Sequence, residues 1–229
     1  MIPFRDNIPS RTFPIITVLI IAANIFVFVF ELSLSPQVLL KFINVYGIVP
    51  AAVFGWPDSN APLSALVLPF FTSMFMHGGW MHILGNMLYL WIFGDNVEDR
   101  LGHTMYLIFY LLCGVAATFA QVLVDPGSNV PNLGASGAIA GVLGAYLLMF
   151  PRGRVRVLMG QGIIPMPAII VIGFWAALQF ISGFGAIAAT EQTSGGGVAY
   201  MAHVGGFIAG LILAVVMGGT RQEPRLRAY

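Results

Sequence analysis

A serine, a histidine and a pair of hydrogen-bond donors occur in settings that could carry out acyl transfer. Ser136 stands in Gly134-Ala135-Ser136-Gly137, at the expected start of a helix. Free backbone N–H groups at a helix amino terminus can stabilise a developing negative charge. The flanking glycines let other backbone come close. His203 stands in Ala202-His203-Val204-Gly205-Gly206, with Gly210 one turn further on. Gly206 and Gly210 form a small-xxx-small face of the kind that draws membrane helices together. His203, three positions before Gly206, falls near that face. If the helices carrying Ser136 and His203 touch, the imidazole can take the serine proton during nucleophilic attack. His82 and Asn86, four apart, share one helical face and could donate hydrogen bonds to an oxyanion. His77 lies just before that helix.

Each group also has a plainer reading. Ser136 could be only an N-cap serine, His203 a histidine bonded to a neighbouring helix, and the third group a set of packing residues. The residues around Ser136 do not form the Gly-x-Ser-x-Gly elbow of soluble hydrolases, because Gly137 follows the serine directly. Three histidines could ligate zinc, but His-Glu-x-x-His is absent and no carboxylate accompanies them. The chemistry needs no metal and no organic cofactor. No Asp or Glu is expected within the membrane near the cluster, so a Ser–His dyad is more economical than a triad. Cys113, the one cysteine, reads as a small core residue. His103 reads as a solvated residue in a turn beside Arg100.

Such residues need rigid carriers, and the sequence offers long apolar blocks. Of 229 residues, 58% are hydrophobic and 8% charged, against roughly 25% charged in an ordinary soluble domain. A membrane helix takes about 20 apolar residues. The charge-free blocks predict six spans, at 13–31, 79–99, 103–124, 136–151, 166–186 and 199–218. The first block lacks a small-residue cleavage site and reads as a span rather than a removable leader. The fourth span would be about 24 Å long at 1.5 Å per residue. The hydrocarbon core is about 30 Å thick, so Ser136 is expected below the outer surface. Segment 32–78, with Trp56, Pro57, Pro62, Pro69, Phe70 and Phe71, is expected half embedded in the outer interface. A further span at 61–78 would disrupt the charge pattern and is rejected.

That pattern sets the topology. With a cytoplasmic amino terminus, all nine arginines fall on the cytoplasmic side, as the distribution of basic residues in membrane proteins favours. Lys41 is the exception, outside with Glu31, Asp58, Asp125 and Glu191. The expected fold class is thus an all-α polytopic membrane protein of six transmembrane helices with both termini cytoplasmic. Residues 1–11 and 219–229 are expected to be short solvated tails around a single membrane domain, 12–218. No internal repeat suggests a transporter of duplicated halves. A net charge of +1 gives no nucleic-acid footprint.

In combination these motifs resemble the rhomboid family of intramembrane serine proteases. The resemblance rests on His77 with His82-x-x-x-Asn86, on Gly134-Ala135-Ser136-Gly137, and on Ala202-His203-Val204-Gly205-Gly206 with Gly210. Gly94-Asp95-Asn96-Val97-Glu98-Asp99-Arg100-Leu101-Gly102 also resembles the segment after the family's second helix. The resemblance covers about residues 12–218 and is nearest the compact bacterial and archaeal forms, which implies a prokaryotic plasma membrane. It implies cleavage of transmembrane proteins in or near their spans, with Ser136 as nucleophile and His203 as general base and acid. The oxyanion hole would use the Ser136 N–H, His82 and Asn86. His77 would support the site, Glu98 would hold the cytoplasmic end of the second helix, and Gly206 and Gly210 would admit close contact of the fourth and sixth helices. Partners would be transmembrane substrates and lipid; the oligomeric state is left open. Some members carry an aromatic one turn after the serine, packed on the histidine; here it is Ala140, so another group must hold the imidazole. Many carry a Trp-Arg pair in the outer segment; here Pro57 follows Trp56. A non-proteolytic scaffold on the same core is the rival reading.

Overall fold

The structure, a computed structural model, describes residues 2–188 and 199–219. In chain order the elements are β1 (Ile2–Asp6), α1 (Ile15–Ser33), α2 (Pro36–Tyr46), α3 (Pro50–Gly55), α4 (Leu63–Thr72), α5 (Trp80–Leu101), α6 (His103–Val124), α7 (Ser136–Met149), β2 (Arg154–Met159), β3 (Gly162–Pro167), α8 (Ala168–Ala188) and α9 (Tyr200–Val216). Six of these helices, α1 and α5 to α9, begin and end within about two residues of the expected spans, the usual uncertainty of a helix end. The loop holding Glu191 and the arginines after residue 220 lie outside the described residues.

α7 is the axis of the bundle. Its residues Gly137–Tyr146 are all buried, as expected of a helix that is apolar all round. Small residues let its neighbours reach its backbone. A Cβ on Gly206 would collide with the carbonyl oxygen of Gly137, and one on Gly210 with the backbone of Gly141. On the other side a Cβ on Gly137 would meet Ala117 at 2.5 Å, and one on Gly141 would meet Cys113 at 2.5 Å. Helices α6, α7 and α9 therefore form a close-packed kernel, with Cys113 a buried free thiol inside it. Outside the kernel the helices present apolar side chains outward: Phe26, Ile181 and Val216 are 75%, 70% and 74% exposed. Faces of that kind suit lipid rather than water.

α1 is joined to α5 by a buried carboxylate. The first turn of α1 has no acidic residue of its own, and Glu98 takes that place. Its oxygens accept from the N–H groups of Ile16 and Thr17 at 2.9 and 2.8 Å, and from the Thr17 hydroxyl at 2.7 Å. An anion at a helix amino terminus is favourable because it meets unpaired N–H groups and the positive end of the dipole. His103 is not merely solvated as expected, since its Nδ1 lies 2.5 Å from Glu98 Oε1. At the far end of α7, Arg100 donates to the Met149 carbonyl at 3.2 Å.

Segment 32–78 contains no further long helix. α4 has 10 residues, about 15 Å of helix, which is half the length a span needs. Its Pro69 and the 3-10 turn Ser73–Phe75 bring the chain back into the bundle.

The all-α expectation needs correcting at the opposite end. β1, β2 and β3 form an antiparallel sheet in that order. Residues 2–6, expected in a solvated tail, are its edge strand. The cause is visible in β2, where Arg154-Val155-Arg156-Val157 alternates exposed and buried, the period of a half-buried strand. Val155 and Val157 join the helical core. Asp6 faces the same way, and its carboxylate accepts from the Tyr146 hydroxyl at 2.7 Å and from Asn96 Nδ2 at 3.1 Å. Burial is the main cause that pushes the Asp6 carboxyl up to about 7; the Tyr146 bond opposes it and Asp95 adds to it.

Two outcomes test this packing. Gly206→Ala should destabilise the purified protein by about 1–3 kcal/mol through overpacking, whereas Gly173→Ala, which meets open space, should not; thermal unfolding in detergent compares them. Asp6 is protonated more readily folded than unfolded. Its contribution is therefore complete below the ordinary value of 3.8 and is lost as pH rises toward about 7. The melting temperature of wild type relative to Asp6→Asn should fall across that interval, and a constant difference would count against the buried proton.

Candidate active site

The loop before α7 is tied down on two sides. Ile48 and Asn132 exchange backbone hydrogen bonds of 3.0 and 2.8 Å, and the Gly134 N–H donates to the Ser73 carbonyl at 2.8 Å. Gly134 itself has φ +127°, a conformation that side chains rarely adopt. A Cβ there would meet His82 Nε2 at 2.7 Å and stand 3.7 Å from Ser136 Oγ. The absent side chain keeps open the space that His82 and Ser136 both border. Ala135 occupies the N-cap position and Ser136 is the first helical residue. The reading of Ser136 as an N-cap serine therefore fails: its hydroxyl bonds elsewhere, and the first-turn N–H groups of α7 are left without a side-chain cap.

The hydroxyl goes to α9. Ser136 Oγ lies 2.7 Å from His203 Nε2. The two are brought together by the close approach of Gly137 to Gly206, which are their near neighbours in sequence. The first turn of α9 is held by Gln121, whose Oε1 accepts from the Ala202 N–H at 3.2 Å.

The other imidazole nitrogen is held by α8. His203 Nδ1 lies 2.6 Å from Gln179 Oε1, and Trp175, one turn earlier on α8, lies against the ring at 5.8 Å between centroids. Gln179 and Trp175 are thus the groups that hold the imidazole, the place left open at Ala140. A carbonyl oxygen only accepts. With the Gln179 amide placed this way, Nδ1 carries the proton and Nε2 offers its lone pair to the Ser136 hydroxyl. Neither Gln179 nor Trp175 was singled out from the sequence. Their signal was available: a lone amide in an apolar helix is costly and needs a reason, and Trp175 sits four residues before it, on the same face.

His77, His82 and Asn86 also come together. The rings of His77 and His82 are 5.0 Å apart, and Asn86 Nδ2 lies 3.0 Å from His77 Nε2. His82 Nδ1 accepts from the Gly78 N–H at 3.4 Å. A neutral His82 then carries its proton on Nε2, the atom beside Gly134 and Ser136. The expectation that no carboxylate approaches this cluster is corrected by Glu31. It is buried in the last turn of α1, and its Oε2 accepts from the His77 N–H at 3.2 Å. Among the described residues no group of three or more His, Cys, Asp or Glu side chains could hold a metal ion. Glu98 stands far from these groups along α5, at the start of α1. The arrangement offers an activated hydroxyl, a base with a fixed tautomer, and N–H donors bordering a common space: the parts that acyl transfer requires.

A family model described as the Rhomboid domain matches residues 65–220, which include every residue of this site except Glu31 and Ile48. Presenilin-associated rhomboid-like protein, mitochondrial, of Bos taurus is 32% identical over 142 residues, covering 61% of this chain and 34% of that protein. Rhomboid protease GluP of Bacillus subtilis is 34% identical over 149 residues, covering 64% and 25%. Rhomboid-like protein 11, chloroplastic, of Arabidopsis thaliana is 29% identical over 149 residues, covering 63% and 50%. The matched region thus spans a quarter to a half of these curated relatives, and bacterial, mitochondrial and chloroplastic members match alike. Because the match runs through all the helices that bring Ser136 and His203 together, the chain belongs to the rhomboid family and is a multi-pass integral membrane protein built on that family's helical bundle.

Proposed function

We propose that the protein is an intramembrane serine endopeptidase that cleaves transmembrane proteins near the outer face of the membrane. The observation that carries this is the continuous path Ser136–His203–Gln179, with bonds of 2.7 and 2.6 Å across three helices. The Bacillus subtilis relative is named a rhomboid protease, which agrees with it. Six spans with cytoplasmic termini fit the positions of the arginines: Arg100, Arg152, Arg154 and Arg156 lie at the Met149 end of α7, with Arg5 on the sheet beside it. Ser136, at the other end, then faces outward. A prokaryotic plasma membrane is the setting we propose.

In this mechanism a substrate helix approaches laterally and unwinds locally to present an extended backbone. His203 Nε2 takes the Ser136 proton as Oγ bonds to the scissile carbonyl carbon, while Gln179 accepts from Nδ1 and holds the ring. The oxyanion is met by the Ser136 N–H, by His82 and by Asn86. The C–N bond then breaks as the imidazolium gives its proton to the leaving nitrogen. Water attacks the ester with His203 again as base, and the acid product leaves as the proton returns to Ser136. Gln179 is a positioning residue here; it touches no reacting atom. A membrane-segment-binding scaffold is the rival, but it gives no role to the Ser136–His203 bond.

The decisive assay reconstitutes wild type and Ser136→Ala in liposomes with a labelled transmembrane substrate and reads product masses. A cut near the outer face by wild type alone is expected; equal products from both would remove Ser136 as nucleophile. Gln179→Leu should lower kcat about 10- to 100-fold, less than the loss of a whole general base, with KM unchanged. Nitrogen NMR of His203 should then show mixed tautomers. An unaltered tautomer and an unaltered kcat would limit Gln179 to packing.

A further inference from the structure

The β2–β3 hairpin has a base and a tip of different character. At the base Val155 and Val157 face the helices and are buried, while Arg154 and Arg156 face away. β1 sets Arg5 opposite Arg156 in register. Toward the turn this alternation stops. Leu158 pairs with Ile163 on the outward side, and Met159 and Ile164 lie on the other. All four are exposed, at 41%, 54%, 46% and 47%. The turn between them, Gly160 and Gln161, is uncharged, and β1 adds exposed Ile2 and Phe4. A tip that is apolar on both faces has no stable place in water. The one acidic residue on the three strands, Asp6, faces inward to Tyr146 and Asn96.

The hairpin is also fixed directly to the start of α8. β3 ends at Pro167 and α8 begins at Ala168 with no linker. We infer that the hairpin tip enters the interfacial layer of the membrane face opposite Ser136, while Arg5 and Arg154 bind the phosphates of anionic phospholipids there. The chemistry is complementary at both levels, since guanidinium forks suit phosphate and an apolar tip gains from the acyl boundary. Basic residues near an anionic leaflet are favoured in the same way. An acidic soluble partner would match the arginines and leave the tip uncovered. Pairing with a second copy is disfavoured because Pro165 and Pro167 remove donors from the edge strand β3. The sheet would then act as a float that fixes the depth of the α7–α8 connection. This inference is independent of the protease reading.

The test uses the full chain in nanodiscs of phosphatidylcholine, with or without phosphatidylglycerol. A nitroxide is attached at Ile163→Cys; Cys113 is buried and stays unlabelled, as wild type verifies. Power saturation compares access of oxygen with that of a water-soluble nickel chelate, against a reference label at Asn60→Cys in the exposed outer loop. The expected ratio of oxygen to nickel access at Ile163 is several-fold above the reference in anionic discs. It should fall in neutral discs, and in anionic discs when Arg154→Gln is added, with the melting temperature retained. Nickel access equal to the reference overturns the inference. So does protection that is the same in both lipids and indifferent to Arg154→Gln. Spin–spin broadening that rises with labelling would assign the tip to a second copy and overturn it too.

Discussion

The approach of two backbones, α7 to α9, is the constraint on which the site depends. Within lipid there is no hydrophobic gain from joining two apolar helices, so association rests on short-range packing and on hydrogen bonds. Dispersion is strong only when atoms are in contact, and glycine is the means of bringing main chains that close. Gly206 faces the Gly137 carbonyl and Gly210 faces Gly141. Ser136 is next to the first contact on α7, and His203 lies one turn before it on α9. Their hydrogen bond follows from a packing distance set by residues with no side chain. Larger interdigitating side chains would hold helix axes about 8–10 Å apart.

The polar groups inside the bundle have a common logic. Glu98 gives a carboxylate to the amino terminus of α1, Arg100 gives a cation to the carboxyl terminus of α7, and Gln121 gives an acceptor to the first turn of α9. Glu98 and Arg100 meet backbone groups that a helix end leaves without partners, and Gln121 shares the Ala202 N–H with the Ala199 carbonyl. In a bilayer these would be expensive to leave bare. Glu31 does the same for the strand-like approach to α5 by accepting the His77 N–H. The charges that would seem out of place in an apolar chain thus hold helix ends, and α7 is fixed at its Met149 end by Arg100 and Tyr146.

The helical carriers were legible in the sequence because bilayer thickness imposes a length that runs of apolar residues reveal. Ser136, His203 and the His77, His82 and Asn86 group stood out because each is polar where polarity is costly. Other features were hidden for physical reasons. Arg154-Val155-Arg156-Val157 carries both a charge signal and a strand signal, and the charges were read for topology alone. Residues 2–6 show nothing by themselves, since their pairing with β2 lies about 150 residues away. Glu31 ends an apolar block, and position alone does not say whether such a carboxylate turns outward or back toward another helix. Gln179 could be recognised as unusual, but its partner is fixed only by the packing of α8 on α9.

The length of α7 explains why a site of this kind sits where it does. Its 14 residues give about 21 Å of helix, shorter than the hydrocarbon core, so on the proposed topology Ser136 lies beneath one surface while Met149 is held near the other. A transmembrane peptide reaching that depth has its carbonyls committed to its own helical bonds. To be attacked it must give up some of them, and each carbonyl released must find donors again. On the proposed reading, the Ser136 N–H, His82 and Asn86 serve both purposes. They receive the carbonyl freed by unwinding, and they bind it more strongly as it becomes an oxyanion. Substrate selection then becomes a matter of how cheaply a segment unwinds. Glycine lowers helix stability by about 1 kcal/mol and proline by about 3 kcal/mol relative to alanine, so residues that weaken a helix near the outer face bring a peptide closer to the reactive geometry before any side chain is recognised.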